Sequence, residues 1–389
     1  MSPSASDLRR VRPSSPIARL LVDAVQQAPL AQDYRWDDID ARELQMAALV
    51  HGVAPATYLH LRSSDDVPDE LRSRLQTSHR DQLFRHMRVL SDMRPVVSAL
   101  DDAGVAWVAV KGPVLAETVW PRADMRAYTD VDLVVDRRRF SDVLAALETV
   151  GASLVDRNWP FIRDQGRAEL SLTLAYGTAL DLHWDLVNDI DLRRVFRFPQ
   201  EEMYERARRI QLEGMAVPTL DPVDTVLHLA YHSVLSGGHR LVWLRDFQLA
   251  TAAPGMDWDE LARRAERYGV RLALDLMIQR TQRVLGPVAP SGFRGRRSLW
   301  SGVASVADRL RPVPALPGDN RLSGRIVFQS TRGGSASSLL AGVRDLRKDR
   351  SNPVVRQENP LHLNVDDPAA RAEYLAAVEG PEPSRARGQ

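Results

Sequence analysis

Apolar residues recur at helical spacing through residues 36–104. Leu44, Ala47, Ala48 and His51 share one stripe, and Leu83, Met87, Leu90, Met93 and Val97 share another, with Gly104 suited to a helix C-terminus. The spacing then changes. Residues 105–110 are apolar without interruption and 131–135 repeat the pattern after two polar positions, which predicts two buried strands. Between them residues 113–119 read as a helix entered through Gly112 and Pro113, a good place for proline because the first N–H of a helix has no partner. Phe140, Val143, Leu144, Leu147 and Val150 mark an amphipathic helix that stops at Gly151. A hairpin follows, with strands at 169–174 and 178–186 about a turn through Tyr176 and Gly177.

After Pro199 the pattern is helical again, through 223–235, 242–250, 258–268 and 272–285, with weaker helices beyond Pro287, including 368–378 behind Asp366 and Asp367. The organisation expected is therefore disordered tails at 1–15 and 380–389, an N-terminal helical region at 16–104, a small mixed-sheet core at 105–200, a helical domain at 201–290 and a partly helical extension at 291–379. No internal repeat is visible.

Composition narrows the chemistry. The 389 residues are 44% hydrophobic, enough for two sizeable cores. With no cysteine, a metal must be held by oxygen or imidazole, and a reducing, cytoplasmic setting is expected. The arginines near the N-terminus precede no apolar run, and residues 17–31 are broken by Arg19, Asp23 and two glutamines, so neither a signal peptide nor a membrane span is expected. A formal net charge of +1 disfavours a long nucleic acid as partner. Lysine occurs only at Lys111 and Lys348, arginine supplying every other basic side chain.

Candidate chemistry lies on the strands. Asp130 and Asp132 leave one strand face about 7 Å apart, with apolar residues opposite. A lone Asp-x-Asp is usually a solvated strand face. Here, however, Asp181, His183 and Asp185 alternate with Leu180, Leu182, Trp184 and Leu186. Placed beside the first strand, Asp181 adds a third carboxylate. Carboxylates so gathered repel one another unless a cation neutralises them, and three suit a pair of hard divalent ions.

These stretches resemble the nucleotidyltransferases of the DNA polymerase β superfamily, and most specifically a bacterial, uncharacterised nucleotidyltransferase-like family within it. The likeness is carried by Val110-Lys111-Gly112, by Arg126 through the Asp130-Val131-Asp132-Leu133 run, by Leu180-Asp181-Leu182-His183-Trp184, by Leu227-His228-Leu229-Ala230 and by Trp243-Leu244-Arg245-Asp246, within about residues 37–290. It implies an α+β fold, a small mixed-sheet nucleotidyltransferase domain flanked by N-terminal helices and a C-terminal helical domain. It also implies Mg²⁺, or Mn²⁺, held by Asp130, Asp132 and Asp181, with Asp181 helping to deprotonate the acceptor. Superfamily members usually follow the first glycine with Ser or Gly. This chain has Lys111-Gly112-Pro113, so a backbone donor is missing at Pro113; Lys111 reads either as a point charge in its place or as a lysine snorkelling off a strand end.

Other residues carry more than one reading. Arg126, and less so Arg122, is placed to clamp a phosphate. His183 ligates metal, orients Asp181 or packs. His228 and His232 have the i, i+4 spacing of zinc sites but lack the glutamate of a metalloprotease, and read as a polar helix stripe. Arg245 and Asp246 read as a structural ion-pair element. No Gly-x₄-Gly-Lys-Ser loop and no Gly-x-Ser-x-Gly elbow occurs. The expected activity is transfer of NMP from an NTP, taken to be ATP, to a hydroxyl on a small molecule, peptide or protein. The alternative is a catalytically weak nucleotide-binding module within a biosynthetic or toxin–antitoxin assembly.

Overall fold

The computed structural model describes residues 15–30, 33–293, 295, 302, 360–365 and 367–381. The helices are α1 (Pro16–Gln26), α2 (Ala41–Val50), α3 (Ala54–Leu61), α4 (Asp69–Asp102), α5 (Gly112–Thr118), α6 (Phe140–Thr149), α7 (Trp159–Gln165), α8 (Gln200–Glu205), α9 (Pro222–Leu235), α10 (Leu241–Thr251), α11 (Trp258–Arg267), α12 (Arg271–Leu285) and α13 (Pro368–Glu379). The strands are β1 (Trp107–Val110), β2 (Asp130–Val135), β3 (Ser153–Leu154), β4 (Glu169–Thr173), β5 (Ala179–His183), β6 (Arg208–Leu212) and β7 (Met215–Thr219). They belong to two compact units. One comprises Met1–His86, Leu115–Tyr128 and Pro222–Pro353, the other Met87–Val114, Thr129–Asp221 and Val354–Gln389. The expected tail at 1–14, the tail from 382 onward and most of the extension at 291–379 lie outside the described residues.

The first unit is helical. Local signals start its elements: the Ser15 hydroxyl accepts from Ala18 N at 3.1 Å ahead of Pro16, and the Asp40 and Asp257 carboxylates cap α2 and α11. α9, α10 and α12 pack on one another, and α1 packs on both α3 and α10. The stripe expected on α4 is buried at Leu90, Met93 and Val97 but fails at Met87, which is 60% exposed, whereas Gln82 and His86 point inward. Both inward side chains have partners. His86 Nδ1 lies 2.6 Å from Tyr128 Oη and its Nε2 2.9 Å from Glu117 Oε1, while Gln82 Oε1 accepts from Tyr128 N. Hydrogen bonding makes burial of such groups tolerable, which a count of apolar positions does not register. Among the described residues no helix is long and apolar enough to cross a membrane.

The second unit is built on a seven-stranded mixed sheet in the order β3-β4-β5-β2-β1-β7-β6. β2 pairs antiparallel with β1 and parallel with β5, and β5 pairs antiparallel with β4. Val131, Leu133, Leu170, Leu172, Leu180 and Leu182 alternate out of these strands and are buried. Burying one face of the sheet in this way specifies the register, because a slip of one residue would turn the leucines to the polar side. The second half of α4 contributes Asp92, whose buried carboxylate accepts from Tyr176 N at 2.8 Å and Thr178 N at 3.1 Å and so pins the β4–β5 turn. α13 packs against α6 and α7, with Tyr374 Oη taking a hydrogen bond from Trp184 Nε1.

One stretch departs from expectation. Residues 208–219, expected within a helical domain, form the β6–β7 hairpin, and β7 joins the sheet parallel to β1. Its turn has positive φ at Glu213 (45°) and Gly214 (79°), the geometry that suits a two-residue hairpin. The helical unit resumes at Pro222, close to where the apolar spacing changes.

Candidate active site

Three strands place their polar positions on one face. Along β2, Asp130 and Asp132 leave the side opposite Val131 and Leu133; along β5, Asp181 and His183 leave the side opposite Leu180 and Leu182. The parallel register sets Asp132 directly beside Asp181 and Asp130 beside Ala179, on strands about 4.8 Å apart. β4 adds Glu169 and Ser171, paired with His183 and Asp181 respectively. These last two were not singled out from sequence. Their signal was the alternation Glu-Leu-Ser-Leu-Thr, legible as part of the site only once the register of β4 against β5 is known.

Asp132 is the centre of the cluster and only 4% exposed. Its Oδ1 lies 2.6 Å from Lys111 Nζ and 3.3 Å from His183 Nε2. A carboxylate only accepts, so Nε2 carries the hydrogen. Burial by itself would raise the Asp132 carboxyl, but Lys111 and His183 outweigh it and hold the group well below the usual carboxylate range. Asp181 is in the opposite situation. Burial, then the like charges of Glu169 and Asp132, push its carboxyl up to about 6, against a smaller opposing effect of His183. Its Oδ1 accepts from Ser171 Oγ at 3.0 Å. Burial would lower the pKa of His183, yet Asp132 and Glu169 raise it above the ordinary histidine value. Nδ1 of His183 is buried without a hydrogen-bond partner, 3.7 Å from Glu169 Oε2.

Lys111 reaches Asp132 because β1 ends beside it. Val110 pairs with Asp132, and the chain then passes through positive φ at Lys111 (51°) and at buried Gly112 (30°). Holding a residue with a Cβ in the left-handed region costs about 1 kcal/mol. Gly112 then opens α5. Arg126 belongs to the other unit. Its Nε and Nη2 donate to Asp246 at 2.9 and 2.8 Å, and Trp120 Nε1 donates to the same carboxylate at 2.7 Å. Asp246 is thus an ion-pair residue, with Arg126 as its partner, while Arg245 donates to Gln248. Asp124 accepts from Arg122 and lies 3.0 Å from His79 Nε2. The rings of His228 and His232 lie 6.2 Å apart, edge to face.

A family profile described as "Uncharacterised nucleotidyltransferase" matches residues 37–286. The chain belongs to this family. Among curated proteins none matches it. Two solved structures similar to it are the antibiotic-resistance factor ANT(2'')-Ia in solution and a crystal structure of ANT(2'')-Ia in complex with adenylyl-2''-tobramycin. Each is 16% identical with a TM-score of 0.33 over 46% of this chain, covering 90% and 96% of the respective neighbour.

For this nucleotidyltransferase the donor set is informative about metal. Among the described residues no three His, Asp or Glu side chains are grouped closely enough to hold an ion as they stand. Mg²⁺, however, is commonly held by one or two carboxylates and completed by substrate phosphates and water. Asp130, Asp132 and Asp181 offer hard oxygen donors on one face, and the Asp181 carboxyl is raised first by burial and then by the like charges of Glu169 and Asp132, both of which a bound cation would relieve. The residues therefore fit a hard divalent ion brought together with a nucleotide.

Proposed function

We propose that this nucleotidyltransferase transfers a nucleoside monophosphate from an NTP, with ATP as the first candidate, to a hydroxyl of a small molecule, peptide or protein. The observation that carries the reading is the parallel register of β2 and β5, which sets Asp132 and Asp181 side by side with Asp130 two positions along the same face. In the reaction the acceptor oxygen bonds to the α-phosphorus, the bond from that phosphorus to the leaving pyrophosphate breaks, and the hydroxyl proton must be removed. A divalent ion, when bound by Asp130, Asp132 and Asp181, supplies electrophilic stabilisation of charge on the phosphate oxygens.

The protein's own groups divide the remaining work. Asp181 is ionised at neutral pH yet more basic than an ordinary aspartate, which suits it to accept the acceptor proton. Ser171 fixes one of its oxygens. Lys111 faces the same pole of the site and supports a phosphate. The test is Mg²⁺-dependent release of pyrophosphate from each of the four NTPs, followed by a search for labelled NMP adducts after incubation with cell extract. Absence of pyrophosphate release and of any adduct would sink the proposal.

Binding gives a separate check. Asp130 shares its strand face with Asp132, so Mg²⁺ alone binds weakly and more tightly with NTP present, and Asp130→Asn removes this synergy. Calorimetry in which the NTP binds equally with and without Mg²⁺, and in which the substitution changes nothing, would refute the metal assignment.

A further inference from the structure

Only two lysines occur among the 52 basic residues of the chain, and one of them is held on the central carboxylate of the site. The backbone puts it there. Val110 is tied to Asp132 by the β1–β2 ladder, and the left-handed turn at Lys111 and Gly112 follows at once. Lys111 Nζ lies 2.6 Å from Asp132 Oδ1, and His183 Nε2 lies 3.3 Å from the same oxygen. A carboxylate oxygen has two lone pairs, and both are therefore engaged by protein donors. His183 is itself locked among buried neighbours, with Asp132 on one side and Glu169 on the other. An ion on Oδ1 would have to displace the Lys111 ammonium, which leaves Oδ2 as the oxygen of Asp132 open to a metal.

We infer that Lys111 occupies the position of one of the two cations expected from the sequence, so that the site takes a single divalent ion, held by Asp132 and Asp130, with Asp181 left to accept the proton. The inference rests on the nucleotidyltransferase reading and specifies its cation requirement. A lysine suits this position better than an arginine. The ammonium is a compact point charge with three donors, so one hydrogen engages Asp132 and two stay available for phosphate oxygens, whereas a guanidinium spreads its charge over a plane. The substitution also accounts for Pro113: the donor missing from the backbone is supplied by the ammonium.

Counting ions tests this without reference to turnover. The wild-type chain is titrated with Mn²⁺ in the presence of the α,β-methylene analogue of ATP, with those of GTP, CTP and UTP alongside, and bound ions are counted by electron paramagnetic resonance. The expected result is one Mn²⁺ per complex with no coupling between spins. Lys111→Met, similar in length but neutral, is expected to take up two Mn²⁺ with the spin coupling of ions about 4 Å apart, while Lys111→Arg keeps the charge and stays at one. Two coupled ions in the wild type would overturn the inference and leave the nucleotidyltransferase reading standing. No nucleotide-dependent Mn²⁺ in the wild type would overturn both. A folded Lys111→Met protein that still binds one ion would also overturn it, and if that variant does not fold the wild-type count decides alone.

Discussion

Asp181→Asn is expected to lower NMP transfer by about 10²-fold or more, the usual contribution of a positioned acid–base group. Over the same comparison the affinity for Mg²⁺-NTP should stay within about tenfold, or about 1.4 kcal/mol. The difference follows from what the two strands supply. Asp130 and Asp132 leave β2 together beside the end of β1 and Lys111, where the proposed function has them anchor the nucleotide-bound ion. Asp181 comes from the neighbouring strand, with Ser171 holding one oxygen and burial and like charges raising its basicity. Asparagine preserves its shape and its hydrogen bond from Ser171 while removing the proton acceptor. Single-turnover rates and equilibrium binding measured on the same preparation decide the matter. Transfer at the wild-type rate would exclude Asp181 as the base, and an equal loss of affinity and rate would reduce it to a nucleotide anchor.

The second large effect concerns stability. Asp246→Ala removes a fully buried carboxylate that accepts two hydrogen bonds from Arg126 and one from Trp120. Deleting one partner of a buried ion pair costs about 3 to 5 kcal/mol, and here two donors of a residue only 6% exposed lose their acceptor. The indole N–H is orphaned as well. We therefore expect a large drop in the urea midpoint of the helical unit, followed through tryptophan fluorescence. Asp246→Asn, which keeps acceptor capacity, should lose less. A loss below about 1 kcal/mol for the alanine variant would show that water or a rearranged neighbour satisfies Arg126.

Much of this architecture was legible because apolar spacing and burial agree. The strands at β1, β2, β4 and β5 and the helices α6, α9, α10, α11 and α12 fall where the periodicity changes. Two kinds of information were not legible. Apolar spacing alone does not register buried polar side chains, so Met87 was set on the inner stripe of α4 while Gln82 and His86, which are buried, went unmarked. Short hairpins far from the main run were also lost: Arg208–Thr219 carries its alternation over only five residues a side, beneath a run of helices that dominated the reading. At the candidate site, alternation put Asp130, Asp132 and Asp181 on polar strand faces and the resemblance supplied their expected roles, whereas the places of Glu169 and Ser171 depend on a register that no single strand encodes. The pairing of Asp246 with Arg126 was equally hidden, since nothing local joins residues so distant in the chain.

The parallel pairing of β2 with β5 also governs when the site comes into being. Antiparallel neighbours can be joined by a short turn, but these two strands are separated by α6, β3, α7 and β4, so their contact has a high sequence separation. Loop closure opposes such contacts before burial rewards them, which makes them slow to form. A nascent chain halted ahead of Ala179 already possesses α4, β1 and both aspartates of β2, but lacks Asp181 and His183 of β5. The nucleotide-dependent metal uptake proposed for this site is therefore expected late in refolding, where its appearance would time the closure of the sheet.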